Sequence, residues 1–258
     1  MDGVLYWSVG EKHTEHFIVS VISLREHWKG PIAVVVGDIP SKEIAQQLKL
    51  DHIVDISKEW QSLRRRNAHY LVKTMLNQYT PFDRTIFMDL DTLILGDITN
   101  IFPQDDEIVL TLFSNWLTTG PAISKRIHKF DSKVPIIPGP AINTGVFGWK
   151  SPAIEIFNKW FLTTQNRLIF MADELAMQVL YTEFVHRILD DRWNWSPKCS
   201  IPNDDVRIAH GHGFKFHKTV IGRKLWLPYY EKAKEAGYIT KPFGKKLKKI
   251  YEQVTKSS

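Results

Sequence analysis

The sequence predicts an α/β domain in which helices cover a mixed, mostly parallel central sheet. Three observations predict it. Strand-like and helix-like runs alternate from the first residues to "HIVDI". A mid-chain run, "TIFMDLDTLILGDI", is apolar enough for a strand buried on both faces. A chain of 258 residues is long enough for one substantial core.

Taken in order, "VLYWSVG" is the first strand, "EHFIVSVISLREHW" the first helix and "PIAVVVG" the second strand. A helix opened by Pro40 and Ser41 leads to the third strand, "HIVDI". The segment "RRNAHYLVKTMLNQY" places Ala68, Leu71, Val72, Met75 and Leu76 at helical spacing, with Lys73 beside that stripe. Pro81 closes this helix, and residues 85–98 follow as a central strand. "EIVLTLF" is a further strand, and a loop rich in Pro, Gly and Ser spans residues 114–141. After the strand "INTGVFGW", Ser151 and Pro152 read as N-cap and first position of a helix carrying Ile154, Phe157 and Phe161. A second helix starts near Asp173. Residues 185–220, rich in Trp, His and Gly, read as site-forming loops. The whole is one domain.

Composition excludes several classes. No zinc-finger spacing, aromatic ribonucleoprotein motif or helix-turn-helix punctuation points to nucleic acid. Much of the +6 formal charge lies in the terminal "KPFGKKLKKIYEQVTKSS", which suits a solvated tail or a weak contact with an anionic membrane surface. There Phe243, Leu247 and Tyr251 have the spacing of a short amphipathic segment. Cys199 is the single cysteine, so no internal disulfide forms and a reducing compartment is expected. The start "MDGVLYWSVG" lacks the pattern of a secretory leader, and no run reaches the about 18 apolar residues of a membrane span. The expected location is cytoplasmic.

The central strand raises the chemical question. Asp89 and Asp91 stand one residue apart in an apolar run, and burying unpaired carboxylates costs several kcal/mol each. On a strand, residues two apart share a face, so at a strand end both could grip one cation, with hard oxygens selecting Mg²⁺ or Mn²⁺. Capping of the strand end with Lys or Arg partners is the structural alternative. Haloacid-dehalogenase phosphatases, whose nucleophile strand reads Asp-x-Asp-x-Thr, fit poorly. Here Thr92 follows Asp91 directly, and the strand lies mid-chain.

The stretch "LVKTMLNQYTPFDRTIFMDLDTLILGDITNIF" resembles the metal-binding segment of family 8 glycosyltransferases, glycogenin-like enzymes among them. In that family a helix with a donor-binding Lys leads into a strand ending Asp-x-Asp-Thr-Leu. "INTGVFGW" is similar to its Asn-Ser/Ala-Gly-Val strand, "ADELAMQVLY" to its Asp-Gln helix start, and "IAHGHGFKFH" to its late His-x-x-Gly segment. The four motifs occur in the family's order across about residues 4–218.

The resemblance implies a single GT-A domain. Residues 1–100 would be a nucleotide-binding half ending in the Asp-x-Asp strand, residues 101–220 a sugar and acceptor half, and residues 221–258 a basic C-terminal tail. It implies transfer of a hexose from a UDP-sugar to an acceptor hydroxyl of a glycan, lipid or protein, with retention of configuration. Asp89, Asp91 and His210 would hold Mn²⁺ (or Mg²⁺) on the donor diphosphate, with His212 the alternative imidazole. Ser8, Val9, Gly10 and His13 would receive the base. His13 stands in "EKH", where the family commonly has Asp-x-Tyr. Lys73 and Leu90 would contact the donor. Lys215 would neutralise the departing diphosphate, with Lys218 the alternative because Lys215 follows Gly213 one residue early. Asn143 and Asp173 would contact the transferred sugar beside Glu174, which replaces the family's Gln. "WNW" at 193–195 would line the acceptor side. Two other classes share such features: a catalytically silent nucleotide-sugar or glycan binding protein, and a sugar nucleotidyltransferase.

Overall fold

The computed structural model describes residues 1–63, 68–112, 141–166, 172–197, 205–212, 216 and 219–240. Lys215, Lys218, Cys199, the loop from 114 to 140 and the basic terminus from 241 all lie outside them.

A seven-stranded sheet forms the centre. Its strands are β1 (Asp2–Ser8), β2 (Ile32–Val36), β3 (His52–Asp55), β4 (Arg84–Met88), β6 (Ile108–Leu112), β7 (Ile142–Lys150) and β8 (His186–Leu189). They lie in the order β3-β2-β1-β4-β7-β6-β8. Only β7 is reversed, pairing antiparallel with β4 and β6; the other pairings are parallel. A separate two-stranded ribbon joins β5 (Thr92–Ile94) to β9 (Ile208–His210), antiparallel.

Alternation along each strand builds two cores. On β1, Val4 and Tyr6 face one side and Leu5 and Trp7 the other, and β4 divides Ile86 and Met88 from Phe87 in the same way. Among the described residues the helices are α1 (Thr14–His27), α2 (Ile39–Gln47), α3 (Ser57–Leu63), α4 (Ala68–Lys73), α5 (Ile154–Asn166), α6 (Ala172–Leu180) and α7 (Val220–Glu235). Phe17 and Leu24 of α1, Ala45 of α2, and Trp226 and Tyr230 of α7 fill the first core together with the ribbon. Val72 of α4, Phe157 and Trp160 of α5, and Met177 of α6 fill the second. There Phe147 and Trp149 stack with ring centroids 5.3 Å apart, and Trp160 meets Phe147 edge-on at 5.3 Å. Such contacts add about 0.5–1.5 kcal/mol beyond the area they bury.

Some boundaries differ from the sequence reading for local reasons. The run 85–98 is two strands, because Asp89–Asp91 turns the chain off the main sheet so that Thr92–Ile94 pairs with β9. The helix expected through residue 79 stops at Lys73 and is followed by a short 3₁₀ turn, Leu76–Gln78. α2 is capped by Asp38, whose Oδ1 accepts the Ser41 N–H at 2.9 Å. Ser151 and Pro152 precede the next helix rather than open it. α5 starts at Ile154, with the Ala153 carbonyl accepting the Phe157 N–H and the Ala153 N–H held by Asn77 Oδ1. Residues grouped with the basic tail begin with α7, which packs on α1 and buries Trp226, Tyr230 and Ala233.

Candidate active site

The sheet delivers the candidate residues to one edge. β1 and β4 run parallel in register, Tyr6 opposite Met88, so Ser8 and Asp89 emerge at the same carboxyl end. Because β7 is reversed, its first residues reach that edge too: Val146 pairs with Met88, and the Asp89 N–H donates to the Gly145 carbonyl at 2.7 Å. The β5–β9 ribbon then places His210 opposite Thr92, and the Gly211 N–H donates to the Asp91 carbonyl at 2.7 Å.

Asp89, Asp91 and His210 each offer a ligand atom, all within 4.8 Å of one another. His210 Nε2 lies 3.1 Å from Asp91 Oδ1 and 3.7 Å from Asp89 Oδ2, although 119 residues separate it from Asp91. Its other nitrogen, Nδ1, is 2.8 Å from Asn194 Oδ1, while Asn194 Nδ2 donates to the Leu112 carbonyl. That second bond fixes the amide so that its oxygen faces the imidazole. Nδ1 therefore carries a proton; Nε2 coordinates a cation when it is unprotonated and donates to the Asp91 carboxylate when the ring is an imidazolium. His212 packs its ring on His210, centroids 4.0 Å apart; among the described residues, His210 supplies the imidazole of the trio. The close approach depends on Gly145, where a Cβ would lie 2.2 Å from His210 Cε1.

Lys73 lies beside this trio, 8% exposed, with Nζ 2.9 Å from Asp89 Oδ1 and 3.2 Å from Asp173 Oδ2. It also donates to the Thr144 carbonyl at 3.3 Å. Burial works to lower its pKa, but Asp89 and Asp173 outweigh burial and hold the ammonium charged. Burial is also the largest influence on Asp89, which is raised despite Lys73 and His210, and Asp91 adds repulsion. His210 is raised because Asp91 overcomes the effect of burial. Coordination takes the neutral imidazole, and three aspartates against one lysine then leave a formal excess of two negative charges, the imbalance a divalent cation would cancel. The donor set of two carboxylates and an imidazole fits Mn²⁺ or Mg²⁺ chemistry.

Asp173 and Glu174 sit in the first turn of α6. Asp173 Oδ2 accepts the Thr144 hydroxyl at 2.9 Å, and Glu174 Oε2 accepts Asn143 Nδ2 at 2.6 Å. Burial, then repulsion from Asp173, pushes the Glu174 carboxyl up to about 7, against the pull of Lys73, Asn143 and His210. Its folded-state pKa thus exceeds the ordinary 4.5. Between those values the folded protein keeps a proton that the unfolded chain has lost, so this group's contribution to stability falls as pH rises through the window. Glu174→Gln preserves the acceptor for Asn143 and removes the fall. The expected result is a gain of about 1–2 kcal/mol over wild type at pH 8, discounted for partial exposure, and none at pH 4. Thermal melts at both values check it; parallel pH dependence of the two proteins would refute it.

At the β1 end, the Gly10 N–H donates to Asp38 Oδ2 at 2.5 Å, tying this loop to the start of α2. Gly10 has φ +87° with nothing within 4 Å of a Cβ, so backbone conformation rather than crowding requires glycine. The Ser8 hydroxyl is buried and donates to Ser41 Oγ at 3.1 Å. Val9 packs against the second core, and His13 closes a short turn with its N–H on the Gly10 carbonyl. The Leu90 side chain lies in the first core, which leaves only its backbone toward the site. Trp193 and Trp195 are likewise buried in that core, and the backbone of Trp195 holds β9 through Ile208 and His210. They support the His210 strand instead of lining an acceptor surface. Thr144 and Tyr70 are not singled out by the sequence, and Asn194 is read there within "WNW" as an acceptor-side residue, not as the partner of His210. The Tyr70 phenol is raised by burial and then by Asp173, with Asp89 and Glu174 adding to it against Lys73.

Comparison with protein-family models and with curated proteins returns no match. Solved structures do match. A galactosyltransferase, LgtC, in complex with donor and acceptor sugar analogues, superposes with a TM-score of 0.65 at 14% identity, covering 97% of this chain and 100% of that one. Mouse xyloside xylosyltransferase 1 in its apo form gives 0.57 at 15% identity, over 82% of this chain and 98% of that one. The bifunctional glycosyltransferase WbbM gives 0.65 at 13% identity, over 97% of this chain and 51% of that one. The chain therefore has the GT-A glycosyltransferase fold, a mixed sheet with helices on both faces. Among the described residues, no helix is long and apolar enough to cross a membrane.

Proposed function

We propose that the protein is a metal-dependent glycosyltransferase that moves a hexose from a UDP-sugar to an acceptor hydroxyl with retention of configuration. The observation that carries this reading is the meeting of Asp89 and Asp91 with the distant His210, beside Lys73 and Asp173, at the carboxyl edge of β4. Asp89, Asp91 and His210 would hold Mn²⁺ or Mg²⁺. Bound there, the cation would offset the charge of the donor diphosphate and of the departing UDP. The loop Ser8–Val9–Gly10 and His13 would take the base, with the Leu90 backbone alongside. In this reading residues 1–100 form the nucleotide half and 101–220 the sugar and acceptor half.

Lys73, which pairs with Asp89 and Asp173, would reach the donor from its neighbouring helix. Asn143, Asp173 and Glu174 would bind the hydroxyls of the transferred sugar, with the Asp173 carboxylate stabilising positive charge at the anomeric carbon. Glu174 donates a hydrogen bond as an acid below about pH 7 and accepts one above it. Lys215 would meet the charge of the leaving group. Front-face attack, with the leaving diphosphate taking the proton, needs no enzyme nucleophile. The acceptor would be a glycan, a lipid head group or a protein hydroxyl, and the reading places the protein in the cytoplasm.

The test is UDP release from a panel of UDP-sugars with Mn²⁺ and a mixed hydroxyl-acceptor library. Turnover with one donor supports the proposal. Tight donor binding without turnover favours a silent binding protein, and pyrophosphate release from a nucleoside triphosphate favours a nucleotidyltransferase.

A further inference from the structure

Behind the acidic turn runs a chain of buried hydroxyls that the chemistry above does not use. Tyr6 of β1 and Ser20 of α1 are fully buried, and Thr92 at the start of β5 is 1% exposed. Thr92 Oγ1 lies 2.8 Å from the Asp89 carbonyl, Ser20 Oγ lies 3.0 Å from Thr92 Oγ1, and the Tyr6 hydroxyl lies 3.0 Å from Ser20 Oγ.

Each hydroxyl has one proton, and that settles the direction of every bond. A carbonyl only accepts, so the Thr92 proton goes to Asp89. Ser20 must then donate to Thr92, and Tyr6 to Ser20. Burial raises the Tyr6 phenol far above its ordinary range, which keeps it a donor, and Met88 Sδ, 3.9 Å away, is a weak competitor. The bonds all run one way and so reinforce one another in a dry interior.

We propose that Tyr6, Ser20 and Thr92 are positioning residues: their relay fixes the Asp89 carbonyl and thereby aims the Asp89 and Asp91 carboxylates at their cation. The proposal rests on the reading of Asp89, Asp91 and His210 as a cation site. The Asp89 N–H is held by Gly145 and the Asp91 carbonyl by Gly211, so the relay supplies a third anchor to the same turn. It comes from α1 and β1 rather than from β7 or β9. An unanchored carbonyl would let the Asp89–Leu90 peptide rotate, carrying the two carboxylates apart. A small loss of alignment weakens a cation site without unfolding the domain around it.

The experiment titrates Mn²⁺ alone into the full chain, followed by calorimetry and by the loss of the free-ion signal in electron paramagnetic resonance. Thr92→Val keeps the shape and removes the hydroxyl, and is expected to weaken Mn²⁺ binding about 10-fold. Thr92→Ser restores the donor and is expected to return affinity to within about twofold of wild type. Equal affinity in Thr92→Val and wild type overturns the proposal, as does a Thr92→Ser loss as large as that of Thr92→Val. Should Thr92→Val fail to fold, Tyr6→Phe carries the test by removing only the terminal hydroxyl. Weaker Mn²⁺ binding at an unchanged metal-free melting temperature supports the relay, and unchanged affinity overturns it. A wild-type chain that does not bind Mn²⁺ overturns the cation reading itself, which shows before any substitution is made.

Discussion

Asp91→Asn is expected to remove Mn²⁺ binding and to lower UDP release by about 10²–10³-fold, the loss typical when a group stabilising transition-state charge is deleted. The substitution is nearly isosteric. The Asp91 backbone stays tied to Gly211, so the turn keeps its path. Removing one of two neighbouring negative charges relieves repulsion with Asp89 but also removes the carboxylate that faces His210 Nε2, and these opposing changes are expected to leave the metal-free fold melting within a few degrees of wild type. Activity and stability therefore separate. Manganese titration, donor turnover and a melting curve on the same preparation check this. Wild-type turnover in the variant would show that no charge on Asp91 is needed and would end the metal-dependent reading.

Lys73→Met is expected to have the largest effect on stability. Its ammonium lies between Asp89 and Asp173, and a Met of similar length leaves both carboxylates facing each other without a counter-charge. Breaking a buried ion pair by deleting one partner costs about 3–5 kcal/mol, on the order of 10 °C in melting temperature for a chain of this size. Arg is not expected to rescue, because its planar fork cannot reproduce the Lys73 ammonium's contacts with two carboxylates and the Thr144 carbonyl. A metal-free melt of Lys73→Met within about 2 °C of wild type would show that the pairing contributes little.

Much of the frame was legible because it is local. The apolar runs of β1, β2 and β4 mark strands by composition, and the stripe on α4 and the Pro40–Ser41 opening of α2 follow from short-range rules, whereas the Asp38 cap is seen only in the structure. Asp89, Asp91 and His210 were legible because carboxylates in an apolar run have no cheap explanation and the late His-x-x-Gly resembled a known partner. What escaped depends on tertiary contacts. The apolar run continues through Leu95, so composition alone does not show that β4 stops at Met88 and that Thr92–Ile94 pairs instead with β9, more than a hundred residues later. Asn194 lies between two tryptophans that mask its role, and only its position beside His210 Nδ1 reveals it. Lys73 read as flanking an apolar stripe, yet it is buried, because Asp89 and Asp173 arrive from elements far apart in sequence.

The β5–β9 ribbon ties assembly of the proposed cation site to the arrival of a strand more than a hundred residues after the two aspartates. A fragment containing only the first hundred residues would possess both aspartates but never the imidazole that joins them from β9. Closing so long a loop is entropically unfavourable, so that encounter is expected to come late in folding. In this reading manganese uptake would report that β9 has docked, since molecules cut before His210 lack the imidazole donor. By mass action the ion would stabilise only the molecules that had completed that encounter.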